Sequence, residues 1–266
     1  MRIALGVEYD GRAFCGWQTQ PQGGAVQDAL EAAMAKIAGQ TINVVCAGRT
    51  DAGVHATGQV VHFDTDLVRP LTAWVRGVNT FLPDGVSVLW AQPVADEFHA
   101  RFSAFGRRYR YLLLNRAQRP GVGNARVGWD HHPLDLERMR SAARLLLGEH
   151  DFSAFRAAGC QARTPVKLMR MAHVERRGEL VVFDFEASAF LHHMVRNLVG
   201  SLVYIGQGRQ PVDWMGELLM MKDRTLAAPT FSAAGLYLVG VCYEPCWGLP
   251  PTSETMPLEL EGALRQ

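Results

Sequence analysis

The chain has 266 residues, enough for one large domain or two smaller ones with cores of their own. With 48% hydrophobic and 20% charged residues it falls outside the disordered and fibrous classes. A formal net charge of +1 argues against indiscriminate nucleic-acid binding while leaving room for a localised basic surface, and no apolar run reaches membrane-spanning length. The charged start Met1-Arg2-Ile3-Ala4-Leu5-Gly6-Val7-Glu8 lacks a signal-peptide core, so a cytoplasmic location is expected. Five scattered cysteines fit reduced thiols better than a disulfide framework.

In chain order, Ile3, Leu5, Val7 and Tyr9 alternate as in a half-buried strand. Val26, Leu30, Met34 and Ile37 form one helical stripe that stops at Gly39. Strands are predicted over 42–46 and 59–63, a helix over 71–78 after Pro70, and a strand over 86–90. The order is β-α-β-β-α-β.

The second half repeats it. A strand over 108–114 precedes a helix over 136–147, with Asp135 as N-cap and Gly148 at its end. Strands over 168–175 and 180–187 flank an Arg177-Gly178 turn, helices follow over 190–205 and 212–221, and a last strand covers 236–243. The predicted class is α+β: two tandem ferredoxin-like halves, 1–105 and 106–245, forming a largely antiparallel sheet with helices on one face. The free face of such a sheet is a common RNA platform. The proline-rich 246–266 reads as a poorly structured tail.

The most constrained stretch is Gly48-Arg49-Thr50-Asp51-Ala52-Gly53-Val54-His55-Ala56. It sets one carboxylate, Asp51, among glycines on what reads as a loop between strands. Such an Asp is often a turn-former, but Arg49 could hold it or a phosphate, and Thr50 adds a hydroxyl. His55, alone on a loop, is more often structural or solvated than catalytic.

In Arg107-Arg108-Tyr109-Arg110-Tyr111, alternation sets the tyrosines on one face and Arg108 and Arg110 on the other. Rings among arginines suit nucleic acid, although periodicity alone favours core tyrosines and a solvated arginine face. Phe190-Leu191-His192-His193-Met194-Val195-Arg196-Asn197 is read as opening the long apolar helix, where Arg196 wants a carboxylate partner; Asp51 is a candidate. The pairs His131-His132 and His192-His193 invite a metal reading. Adjacent residues on a regular strand or helix point apart, however, and no metal ligand spacing recurs, so no metal site is expected. Candidate phosphate contacts are Arg107, Arg110, Arg163, Lys167, Lys222 and Arg224.

Taken together, the 47–56 motif, Phe98-His99-Ala100-Arg101-Phe102, the 107–111 motif and His192-His193-Met194-Val195-Arg196-Asn197 resemble the bacterial tRNA pseudouridine synthase A family, from Ala4 to about Tyr243. The resemblance implies an isomerase that converts uridines 38, 39 and 40 of the tRNA anticodon arm to pseudouridine. It implies Asp51 as the catalytic aspartate, Tyr109 packing on the target base, Arg196 pairing with the aspartate and Arg49 engaging substrate, in a central cleft between the halves. It also implies a homodimer and no cofactor. Two other readings remain open: a non-catalytic RNA-binding or tRNA-folding module, and a metal-dependent hydrolase built on Asp51, His55 and the histidine pairs.

Overall fold

The computed structural model of the chain describes residues 1–251. They form an α+β protein of ten mostly antiparallel strands and five α-helices, in two compact units. Among the described residues, one unit comprises Met1–Gly106 and residues 237–251; the other is Arg107–Leu236. No helix among the described residues is long and apolar enough to cross a membrane.

The first unit contains β1 (Arg2–Tyr9), α1 (Val26–Ala38), β2 (Val45–Cys46), β3 (His55–Asp64), α2 (Val78–Phe81) and β4 (Val86–Val94). β1 lies between β3 and β4, antiparallel to both, with Leu5 opposite Val61 and Ala91. The alternating residues Ile3, Leu5, Val7 and Tyr9 are all buried, as their period demands. On α1 the stripe Val26, Leu30 and Met34 is buried, and Gly39 ends the helix at φ 72°, a left-handed conformation that favours glycine.

The helix predicted over 71–78 is present and runs on through α2, with its middle, Ala73–Gly77, wound as a π-helical segment. It seats Trp74 edge-on to Phe63 at 4.9 Å, on the same sheet face as Ile3, which is paired with Phe63. The strand predicted over 42–46 shrinks to β2, while the one over 59–63 extends back to His55. His55 and Ala56 are therefore strand, not loop.

The second unit contains β5 (Ala104–Asn115), β6 (Gly128–Asp130), α3 (Leu136–Arg144), β7 (Gly148–Asp151), β8 (Val166–Arg177), β9 (Leu180–Ala187), α4 (Met194–Gly206) and α5 (Trp214–Met221). Its strands run β5-β9-β8-β7, with β6 parallel to β5. Asp135 caps α3 by accepting from the backbone N–H groups of Glu137 and Arg138. That helix ends at Arg144, and Gly148 opens β7 rather than closing the helix. The predicted helix start at 190 is corrected to Met194, because His193 sits at φ 63° and a left-handed residue cannot continue a right-handed helix.

β10 (Leu236–Tyr243) has the predicted bounds, but from Tyr237 onward it belongs with the first unit rather than with the second half. It pairs parallel to β3, Tyr237 with His55 and Leu238 with Ala56. Val241 and Tyr243 join Ala4, Ala47, Val60, Phe98 and Ala100 in one cluster. A short 3-10 turn, Pro245–Trp247, then lays Trp247 against Phe98 at 5.4 Å, and Leu249 packs beside it. The predicted tail thus begins with packed residues, since a Trp and a Leu among the prolines can bury apolar area; its part from 252 onward lies outside the described residues. This cluster also covers part of a sheet surface expected to be free.

Candidate active site

The Asp51 loop is tied down on both sides of the carboxylate. Before it, the Gly48 carbonyl accepts a 2.7 Å hydrogen bond from the Gln59 side chain, itself wholly buried in β3. Buried Thr50 shares a 2.8 Å hydrogen bond with the Tyr9 hydroxyl, and its carbonyl accepts from the Trp17 N–H at 3.0 Å. After it, the Val54 N–H closes a turn on the Asp51 carbonyl at 3.1 Å, with Gly53 at φ 76°.

Two glycines let neighbouring backbone come this close. A Cβ on Gly11 would stand 2.0 Å from the Val54 carbonyl oxygen, and one on Gly16, at φ 100°, 2.8 Å from that of Thr50. Loop ends fixed in this way hold the carboxylate between them in one place, at the cost of little further ordering when substrate arrives. Arg49 is exposed at the loop's outer edge.

His55 serves structure. It is 2% exposed, stacks on Tyr237 at 4.6 Å, and its Nδ1 lies 3.1 Å from the Gly11 N–H and 3.2 Å from the Asp10 carboxylate. Burial pushes the Asp10 carboxyl up, but hydrogen bonds from Arg12 and the charges of His55 and Arg12 outweigh it and hold the group at about 2. Cys46, below the loop, has its thiol pushed up to about 11 by burial, against the opposing charges of Arg49 and Arg101.

In the second unit, Tyr109 lies opposite Phe185 in β9, is 9% exposed, and meets the Phe190 ring edge-on at 5.0 Å. Tyr111 is core, its hydroxyl donating to the Ser232 carbonyl at 2.9 Å. Arg196 on α4 donates from Nε to the Phe231 carbonyl at 2.8 Å. Asn197, buried beside it, holds the Phe155 carbonyl and accepts from Thr230 and Arg224.

The basic residues named as phosphate contacts divide. Arg110 makes a two-pronged ion pair with Asp184, both side chains largely buried, which removes it from the solvated face. Lys167 is 8% exposed and donates to the carbonyls of Thr164 and Val166; burial lowers its pKa. Arg107 is likewise buried and donates to the Ser188 carbonyl at 3.3 Å. Arg224 is half-buried within the Asn197 network, whereas Arg163 is exposed. Lys222 is exposed 3.2 Å from Asp151.

The expectation that adjacent histidines diverge is corrected. The rings of His131 and His132 lie 3.9 Å apart and those of His192 and His193 4.0 Å apart, because neither pair sits inside a regular element. Asp130, His131 and His132 bring ligand-type atoms within 4.8 Å of one another. There the Asp130 carboxylate is already engaged by the His132 backbone and ring and by Gln207. Sequence reasoning missed Tyr9 and Gln59 as supports of the loop; a Gln inside an apolar strand was the available signal for the latter.

Fold and loop describe an α+β protein that holds one carboxylate rigidly at the rim of a sheet. A family model described as tRNA pseudouridine synthase matches residues 6–103 and 142–244. Among curated relatives, tRNA pseudouridine synthase A of Dechloromonas aromatica is 66% identical over 265 residues, covering 100% of both chains. The proteins of the same name from Thiobacillus denitrificans and Methylobacillus flagellatus are 61% and 58% identical, each match covering 97% of this chain and 99% of the relative. Among solved structures, a chain of a Cbf5-Nop10-Gar1 complex is similar at 13% identity and a TM-score of 0.37, covering 89% of this chain and 48% of that one. The family assignment rests on the sequence relatives and not on that likeness.

The chain belongs to the tRNA pseudouridine synthase family. It is an isomerase that converts uridine in tRNA to pseudouridine.

Proposed function

We propose that this enzyme acts on uridines 38, 39 and 40 of the anticodon arm, with Asp51 as the carboxylate that acts on the ribose. The reaction must break the bond from N1 of uracil to C1′, turn the freed base and rejoin it through C5. Positive charge develops at the sugar as the bond breaks, so an ionised carboxylate beside it can stabilise that charge, attack C1′, or take a sugar proton to give a glycal. Atoms and electrons balance within the nucleotide: C5 gives up its proton on joining C1′, and N1, freed from C1′, takes one up.

Arg196 is proposed as the guanidinium that pairs with Asp51 and keeps it charged. Tyr109 is proposed as the flat face on which the detached uracil turns, and Arg49 as a substrate contact that helps hold the nucleotide out of its stack. Arg163 and Lys222, exposed, are proposed as backbone contacts; Arg107, Arg110, Lys167 and Arg224 are proposed to shape the surface from beneath. A homodimer presenting basic patches from two copies would reconcile the chain's charge of +1 with an RNA substrate. The cytoplasm, where tRNA is modified, is the proposed location.

One observation supports the assignment to Asp51 above the others: its loop is pinned through Gly48, Thr50 and Val54 while no catalytic role falls to buried His55. The test incubates unmodified tRNA with the protein and maps pseudouridine by carbodiimide adducts and primer extension. Modification at 38 to 40 that disappears with Asp51→Asn is expected. Modification at other positions only would keep the chemistry and overturn the substrate site.

A further inference from the structure

Residues 99 to 103 form a tightly bonded turn whose purpose inside the protein is not evident from packing. The His99 N–H donates to the Ser103 hydroxyl at 2.9 Å, and the Ser103 N–H returns to the His99 carbonyl at 2.9 Å. The His99 ring turns back so that its Nδ1 accepts from the N–H groups of Arg101 and Phe102, at 3.2 and 3.3 Å. Beneath it, the Ala100 N–H donates to Nδ1 of buried His62 at 3.1 Å.

Every backbone donor from His99 to Ser103 therefore has a partner within the first unit. The turn nonetheless shows its largest apolar side chain to solvent: Phe102 is 75% exposed. Borne on a turn this fully bonded, the exposed ring is held in one place at the surface.

The ring is displayed among flat and cationic groups. His99 lies 4.3 Å from Phe102 and 4.9 Å from His62, so three rings follow one another from the core to the surface. Burial, with the charges of Arg2 and Arg101, lowers the pKa of His99, and its Nδ1 is an acceptor, so at neutral pH it is an uncharged ring. The Arg101 guanidinium stands over the Phe102 ring at 5.5 Å. The neighbouring carboxylate of Asp64 is engaged by Arg2 in a two-pronged pair.

This turn is rooted beside the Asp51 loop. Ala47, which leads into Gly48, and Ala100, which leads into Arg101, pack in the same buried cluster. The charges of Arg49 and Arg101 both bear on the Cys46 thiol, which places the two guanidiniums in one neighbourhood.

We propose that Phe102 and Arg101 form a nucleotide-positioning subsite: an unpaired base of the tRNA stacks on the Phe102 ring while Arg101 takes the adjoining phosphate. The inference rests on tRNA being the substrate, and it extends the binding surface from the Asp51 loop along the first unit. A π face is tolerant of base identity, so the subsite positions RNA without reading its sequence. A protein partner is less well matched, because the guanidinium over the ring is placed to take the phosphate that adjoins a stacked base. Phe102 and Arg101 are positioning residues, remote from the bonds that change.

The test compares tRNA binding by fluorescence anisotropy, and kcat and KM for pseudouridine formation, in wild type, Phe102→Ala, Phe102→Leu, Phe102→Trp and Arg101→Gln. Stacking of one base predicts that Phe102→Ala weakens tRNA binding about 5- to 100-fold. KM should rise with kcat nearly kept, Phe102→Trp should restore affinity, and Phe102→Leu, apolar without a π face, should not. Arg101→Gln should lower the slope of log Kd against log salt by about 0.7 to 0.9, one phosphate's worth.

Since Phe102 is exposed, thermal melting of these variants should match wild type, which separates weakened RNA stacking from a damaged fold. Equal tRNA affinity in wild type, Phe102→Ala and Phe102→Leu overturns the proposal. So does an unchanged affinity accompanied by a change of oligomeric mass in light scattering, which would make the ring a protein contact. If wild type binds tRNA with this aromatic dependence yet forms no pseudouridine, the subsite stands and the reading of its function falls.

Discussion

Gln59 donates a 2.7 Å hydrogen bond from its side-chain amide to the carbonyl of Gly48, reaching from a fully buried position in β3 to the start of the Asp51 loop. Few residues in a strand interior tolerate a primary amide, because an unpaired one costs about 1–3 kcal/mol. Here the amide is what fixes the distance between strand and loop. Gln59→Leu should keep the strand and lose the tether: stability falls by roughly 1–3 kcal/mol in urea unfolding, and kcat falls more than KM rises. A variant with normal kcat would show that the tether does not position the loop.

Gly16 faces the same loop from the other side, at φ 100° with room for no Cβ against the Thr50 carbonyl. Gly16→Ala strains the backbone and pushes Thr50 outward. A displacement of about 1 Å can cost on the order of 100-fold in rate, so turnover should drop at least about tenfold while far-UV circular dichroism stays unchanged. Wild-type turnover would mean that the loop adapts.

His62 sets a pH limit on the first unit. Burial lowers its pKa to about 4, with the charges of Arg2 and His99 acting in the same direction and Asp64 against them. The ordinary value of 6.5 in the unfolded chain lies above this, so the unfolded state binds the proton more readily. Its contribution to stability is complete above pH 6.5 and is lost as pH falls towards 4, with a slope of at most about 1.4 kcal/mol per pH unit. Urea unfolding at intervals between pH 7 and 4 should show this loss, and His62→Gln should flatten the slope by about one proton. An unchanged slope in that variant would place the titration elsewhere.

Trp247 packs on Phe98 at 5.4 Å after the last strand has ended. Trp247→Ala should lower stability by roughly 1–3 kcal/mol, read as a fall in Tm, because the ring is only partly buried and leaves a partial cavity. A variant that melts like wild type would make this segment an ornament on the sheet.

Much of this architecture is written locally. The alternation at Ile3 to Tyr9, the stripe on α1 and the Arg177-Gly178 turn between β8 and β9 each arise from neighbours in sequence, and β9 and β10 begin and end where their patterns do. What could not be read locally is long-range or left unmarked. The pairing of β10 with β3 joins residues some 180 apart in sequence, the left-handed His193 carries no signature, and β6 and β7 are too short to alternate.

For the loop, glycine spacing drew attention to Asp51, whereas its supports Tyr9 and Gln59 lie in strands where a pattern reader sees only burial. Arg110 and Lys167 show the converse. Each is tied to a carboxylate or to backbone carbonyls, partners that are visible only in three dimensions.

The claim on which the rest depends is that the Asp51 carboxylate performs the chemistry. Joining C5 of uracil to the ribose expels the C5 hydrogen, so tRNA labelled with tritium at C5 of uridine releases tritium into water once per turnover. Release by wild type is predicted, with a fall of at least about 1,000-fold in both Asp51→Ala and Asp51→Asn and tRNA affinity kept within a few-fold. Release by Asp51→Ala within about tenfold of wild type would contradict that claim.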